Sequence, residues 1–104
     1  MILYNTTFII EATASPDFLT EWATALYIPA ALASPGIKGH TFALIATPGN
    51  DEARSYALQV MADDEAAVAV WEESAARFRS ELEKHYGHGR VVWFSTYMDV
   101  LSHS

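Results

Sequence analysis

The chain contains no cysteine. That removes disulfides, thiolate nucleophiles and cysteine-ligated iron–sulfur or zinc centres, and it leaves the compartment open. Basic residues are scarce, 6 against 13 acidic, for a formal net charge of −7. Affinity for a phosphate backbone or an anionic lipid surface rests largely on Lys and Arg, so neither nucleic acid nor membrane is an expected partner. Long apolar runs are missing too. "MILYNTTFIIEA" at the start has no basic region, and Asn5, Thr6, Thr7 and Glu11 interrupt it. It is expected to be neither a signal peptide nor a membrane span, with a cytoplasmic location as the default. Glycine is thin as well: "TPGND" holds one and reads as a hairpin turn, not a phosphate loop, and no G-x-S-x-G marks a nucleophilic serine.

What remains is apolar and aromatic. A hydrophobic share of 51% within 104 residues suffices for one core, so a single domain over residues 1–104 is expected. Ile2–Ala12 reads as a strand, rich in Ile, Thr, Phe and Tyr. Ser15, Pro16 and Asp17 open a helix, with Leu19, Trp22, Ala23 and Leu26 at helical spacing. Pro29 predicts a kink or restart near Tyr27–Pro29, and "SPG" at Ser34–Gly36 ends the segment. "GHTFALIAT" and "RSYALQVMA" form a hairpin across the turn-rich "PGNDEA". Asp63 or Asp64 caps a second helix with an apolar stripe at Val68, Trp71, Ala75, Phe78 and Leu82, and Gly87 closes it. Glu72, Glu73, Arg77, Glu81, Glu83 and Lys84 are expected to face outward. "RVVWFSTYMDVL" is the last strand.

The order βαββαβ predicts a ferredoxin-like α+β fold: a four-stranded antiparallel sheet, first and third strands central, both helices on one face. The expected core includes Phe8, Phe42, Leu58, Phe78, Phe94 and Met98. The last strand carries large apolar groups on both faces, and the side away from the helices is expected to show Leu3, Ile9, Ile45, Met61, Val91, Trp93, Tyr97 and Leu101. A patch of that size marks an interaction surface, for which a second copy of the chain is the expected partner.

"YN" at Tyr4–Asn5, the Trp-bearing first helix, "IP" at Ile28–Pro29, "YALQ" at Tyr56–Gln59 and the ending "FSTYMDVL" occur together in this order. They resemble an uncharacterised bacterial family (domain of unknown function 4286), itself similar to the dimeric α+β-barrel superfamily. The resemblance implies the fold and a homodimer, and no activity. That family tends to place histidine before Ile-Pro and an acid after it; here Tyr27 and Ala30 stand at those positions.

Candidate chemistry is thin. His85 and His88 straddle a helix end with no third ligand at fixed spacing, so no metal site is expected, and His40 and His103 stand alone. "DDE" at Asp63–Glu65 reads as a helix start. Aromatics are plentiful and serve mostly core or interface. Two ligand locations are expected if one exists. One is a cleft at the disrupted first helix, lined by Trp22 and Tyr27; the other is the interior between subunits, lined by Asn5, Gln59, Trp93 and Tyr97. The expected function is a homodimeric, non-catalytic binding or structural module with no cofactor. The alternative is a cofactor-independent oxygenase or isomerase, by analogy of fold alone. A haem-handling role would need an axial ligand, which no histidine convincingly offers.

Overall fold

A computed structural model of the chain describes residues 1–45 and 53–102. The sheet comprises β1 (Ile2–Glu11), β2 (Ile37–Ile45), β3 (Ala53–Ala62) and β4 (Val91–Asp99), in the spatial order β2-β3-β1-β4 and antiparallel throughout. This is the expected ferredoxin-like arrangement with β1 and β3 central. The loop "PGNDEA" lies outside the described residues except for Ala53, as does His103.

Between β1 and β2 the chain forms α1 (Asp17–Trp22), a π-helical turn (Ala23–Tyr27) and α2 (Ile28–Ala33). The break expected at Pro29 takes this form. Ile28 keeps helical angles (φ −63°, ψ −47°), and its N–H donates five residues back to the Ala23 carbonyl. A wider turn just ahead of Pro29 fits a residue with no N–H to give and a ring that crowds the preceding turn. Ser34, extended, ends α2, and Gly36 follows with φ +84°. A Cβ there would stand 2.6 Å from the Ala67 Cβ. Both the backbone angle and the space call for glycine.

The long helix α3 (Glu65–Tyr86) opens on Asp64, whose Oδ1 accepts the Ala67 N–H at 2.9 Å, and closes at Gly87 with φ +96°. Its buried stripe is Val68, Trp71, Ala75, Arg79, Leu82 and Tyr86, at steps of three and four. Val68, Trp71, Ala75 and Leu82 are in the expected stripe; Arg79 and Tyr86 are not, and Phe78 is only half-buried.

Strand pairing sets the faces. Even-numbered residues of β1 pair with even-numbered ones of β3 (Tyr4 with Val60, Phe8 with Tyr56). Against β4 the parity inverts: Tyr4 faces Tyr97, Phe8 faces Trp93, and Ile10 faces Val91. Residues directly opposite share a face. Val91, Trp93, Ser95 and Tyr97 therefore lie on the helix side with Phe8, Leu58 and Val60. Val92, Phe94, Thr96 and Met98 lie on the open side. This corrects the expectation for β4 in both directions. Phe94 and Met98, expected in the core, are 54% and 48% exposed, while Val91 is fully buried. Leu3, Ile9, Ile45 and Met61 are on the open face as expected; Leu101, beyond β4, is exposed.

Candidate functional site

The expected ligand residues separate into three places. Asn5 and Gln59 sit opposite each other on the open face, in a straight row with Thr41 and Thr96 across all four strands. Asn5 Nδ2 donates to Thr7 Oγ1 at 3.0 Å, and its Oδ1 is buried without a donor. Trp93 and Tyr97 are on the other side of the sheet, so the four do not line one interior; the inverted parity of β4 is the reason. Trp22 and Tyr27 do stay together, stacked at 4.5 Å and 21°, but Tyr27 is wholly buried and edge-on to Phe8. Tyr27 therefore belongs to the packed core and lines no cleft there. Trp22 instead lines a groove of about 540 Å³ with Phe18, Leu26 and Phe78.

The polar centre of the protein lies next to Tyr27, and its key member is Arg79. That side chain is only 5% exposed. Its fork meets both oxygens of Glu72: Nη2 pairs with Oε1, and Nη1 donates to Oε2 at 3.2 Å. Nη1 also reaches the Tyr27 hydroxyl at 3.4 Å. The guanidinium carbon stands 6.0 Å from the centre of the Trp93 ring, within cation–π range. Tyr4, on β1, donates its hydroxyl to Glu72 Oε2. Thr6 and Ser95, opposite each other on β1 and β4, join hydroxyls at 2.9 Å. Buried charge is tolerated where it is paired and hydrogen-bonded, and here a two-pronged pair supplies both. Within this cluster, Arg79 Nε lacks a partner among the described residues.

Glu72 was expected to face solvent, and nothing singled out Arg79. The signal was present nevertheless. Trp71, Ala75, Arg79, Leu82 and Tyr86 continue one stripe at steps of four, four, three and four, and a cation inside an apolar stripe requires a carboxylate within reach.

The electrostatics follow from this packing. Burial pushes the Tyr27 phenol above its ordinary value, and the positive charge and hydrogen bonds of Arg79, with Thr6, offset this only in part. Burial also opposes the charge on Arg79, but its hydrogen bonds to Glu72 and the neighbouring Tyr27 and Glu72 outweigh that, and it stays protonated. At the far end of α3, burial raises the Tyr86 phenol, which donates to the Ser15 carbonyl at 2.6 Å.

A cleft of about 480 Å³ opens beside this network, between α3 and the β1–β4 side of the sheet. Glu65, Val68, Ala69 and Glu72 form its helix wall; Tyr4, Ser95 and Tyr97 form its sheet wall. The helix residues follow the spacing i, i+3, i+4, i+7, which is one helix face. The rings of Tyr4 and Tyr97 are tilted by 45° with centroids 6.4 Å apart. Of the residues expected at a ligand site, Tyr97 lines this cleft. Tyr27 and Trp93 support it from behind through Arg79.

The two histidines of the α3 terminus do not come together as ligands. His85 stacks on Phe18 at 3.5 Å, and His88 is exposed near Glu83. Among the described residues no three His, Asp or Glu side chains gather as a metal site. Among them, too, no helix is long and apolar enough to cross a membrane.

Several solved structures share this fold. SnoaB from Streptomyces nogalater, described as a cofactor-independent oxygenase, is 12% identical with a TM-score of 0.66, covering 98% of this chain and 95% of its own. A dimeric ferredoxin-like protein from an uncultured marine organism is 13% identical with a TM-score of 0.64, covering 100% and 98%. A MhuD mutant with two manganese protoporphyrin IX molecules per active site is 17% identical with a TM-score of 0.61, covering 98% and 97%. At such identities the likeness is one of fold. No curated protein sequence matches the chain. Residues 1–101 match the family described as Domain of unknown function (DUF4286), and the chain belongs to that family.

Proposed function

We propose that this protein is a homodimeric, non-catalytic small-molecule binding module whose ligand occupies the cleft between α3 and the β1–β4 side of the sheet. One observation carries the reading. The cleft has apolar walls and a few fixed polar groups, the usual make-up of a ligand site, yet the ionisable groups behind it are already engaged. Both oxygens of Glu72 accept hydrogen bonds from Tyr4 and Arg79. Tyr27 is buried with its pKa raised, the wrong direction for a base at neutral pH. Such a site orients a ligand more readily than it moves a proton. Cofactor-independent oxygenase or isomerase chemistry, the alternative, is supported by shared fold alone.

The dimer forms through the open sheet face. Val92, Phe94 and Met98 stand half in water there, beside Leu3, Ile9, Ile45 and Met61. Similar structures include proteins described as dimeric and ferredoxin-like, which supports a second copy as the cover. A face of four strands about 4.8 Å apart and nine residues long spans roughly 600 Å². Two such faces meet at the lower end of stable interfaces. The row Thr41–Gln59–Asn5–Thr96 crosses the middle of that face, where paired amides would set the register of one copy on the other.

Native mass spectrometry of protein purified without added ligand tests the proposal. A dimer carrying a reproducible small-molecule adduct is expected, and Ala69→Trp, which fills the exposed cleft wall, should lose the adduct and stay dimeric. An adduct unchanged in Ala69→Trp would move the site elsewhere.

A further inference from the structure

The lining of the cleft also bears on what it holds. Its polar side chains are two carboxylates (Glu65 and Glu72) and the hydroxyls of Tyr4, Ser95 and Tyr97; among the described residues no Lys, Arg or His lines it. Glu72 is balanced by Arg79. Glu65 lies two helical turns away, about 10 Å along the axis, and no salt bridge to it is found among the described residues. Between them Val68 and Ala69 face the rings of Tyr4 and Tyr97. The chain as a whole adds a formal charge of −7.

We infer that the occupant is an organic cation: an ammonium group on a small apolar body. The inference rests on the cleft being the binding site, as proposed above. Glu65 meets the ammonium at one end. The body lies over Val68, Ala69 and the exposed Tyr97 ring, whose face holds an alkyl chain by burial and a cation by its quadrupole. Glu72, locked by Tyr4 and Arg79, receives a donor at the other end without having to reorganise. A carboxylate or phosphate would face Glu65 with no cation within the cleft to offset it, which is a barrier built into the lining. The position of Glu65 in the first turn of α3 favours an acid there in any case. The turn accounts for Glu65 and Arg79 for Glu72, but neither places a base among the described residues that line the cleft, where Glu65 keeps no salt bridge.

Three probes of one shape separate the outcomes: 2-phenylethylammonium, 2-phenylethanol and phenylacetate, titrated at low ionic strength into the 15N-labelled protein. The ammonium should shift the amides of Val68, Ala69 and Ser95 and bind at least tenfold tighter than the alcohol, with phenylacetate weakest. Glu65→Gln should bring amine and alcohol within about twofold and leave the alcohol unchanged. If the alcohol or phenylacetate binds at these amides as tightly as the amine, the cation is wrong and the cleft stands. If the amine's advantage survives in Glu65→Gln, the assignment of Glu65 fails and the inference with it. If none of the three moves these amides, cleft and cation both fall.

Discussion

Removing the Glu72 carboxylate exposes how much the fold depends on the buried pair. In Glu72→Ala the Arg79 guanidinium, 5% exposed, keeps only the Tyr27 hydroxyl at 3.4 Å, and Nε has no partner to begin with. The Tyr4 hydroxyl loses its acceptor at the same time. Breaking a fully buried pair from one side costs roughly 3–5 kcal/mol. The Glu72 side chain is 42% exposed, so water enters the space it leaves and part of that cost is recovered, as at partly solvated pairs generally. Restoring about 1 kcal/mol for the hydrogen bond from Tyr4, the net expectation is a loss of about 2–4 kcal/mol. Replacing both charges, Glu72→Leu with Arg79→Met, removes the stranded cation and should return stability to within about 1–2 kcal/mol of the wild type. Urea denaturation at one fixed protein concentration measures all three variants. A loss below about 0.5 kcal/mol in Glu72→Ala, or a double variant worse than Glu72→Ala, would refute the pair as the organiser of this region.

Phe94→Glu places a charge on the open face and should give a folded monomer by light scattering, whereas Trp93→Glu, on the helix side above Arg79, should lower stability; equal dimer content in Phe94→Glu and wild type would contradict the interface. Trp71, almost wholly buried, should cost about 3–5 kcal/mol on truncation to Ala, read from the urea midpoint. Gly36→Ala combines φ +84° with a 2.6 Å contact and should cost more than about 1 kcal/mol. Tyr27 has a folded pKa above its unfolded value near 10. Its neutral form is thus favoured by folding, and that stability is present below pH 10 and lost as pH rises through the folded value. The unfolding free energy measured from pH 8 upward should fall less steeply in Tyr27→Phe than in wild type, and identical slopes would argue against the burial.

The fold was legible because its signals agreed with one another. Asp64 and Gly87 bound α3 as their residue types require, and β1 and β3 each carry a distinct apolar side. The last strand carries none. Val91, Val92, Trp93 and Phe94 offer apolar groups to both faces, so a shift of one residue leaves the pattern almost unchanged while exchanging every side chain between core and surface. The register is settled by pairing with β1, where Phe8 lies opposite Trp93, and no local pattern in β4 records that. The polar centre escaped for a different reason. Periodicity reads apolar residues, and Arg79 occupies an apolar position because Glu72, seven residues earlier on the same helix face, reaches back to it. Tyr27 was recognised as distinctive, but Pro29 suggested an open break where a π turn instead carries the ring into the core.

The most direct measurement of the central claim is a crystal structure of protein purified from cells with no ligand added. The account predicts two copies meeting through their open faces, with a small molecule between Val68, Ala69 and Tyr97 in each. Copies that leave Phe94 and Met98 in solvent, with side chains closing the cleft, would contradict it.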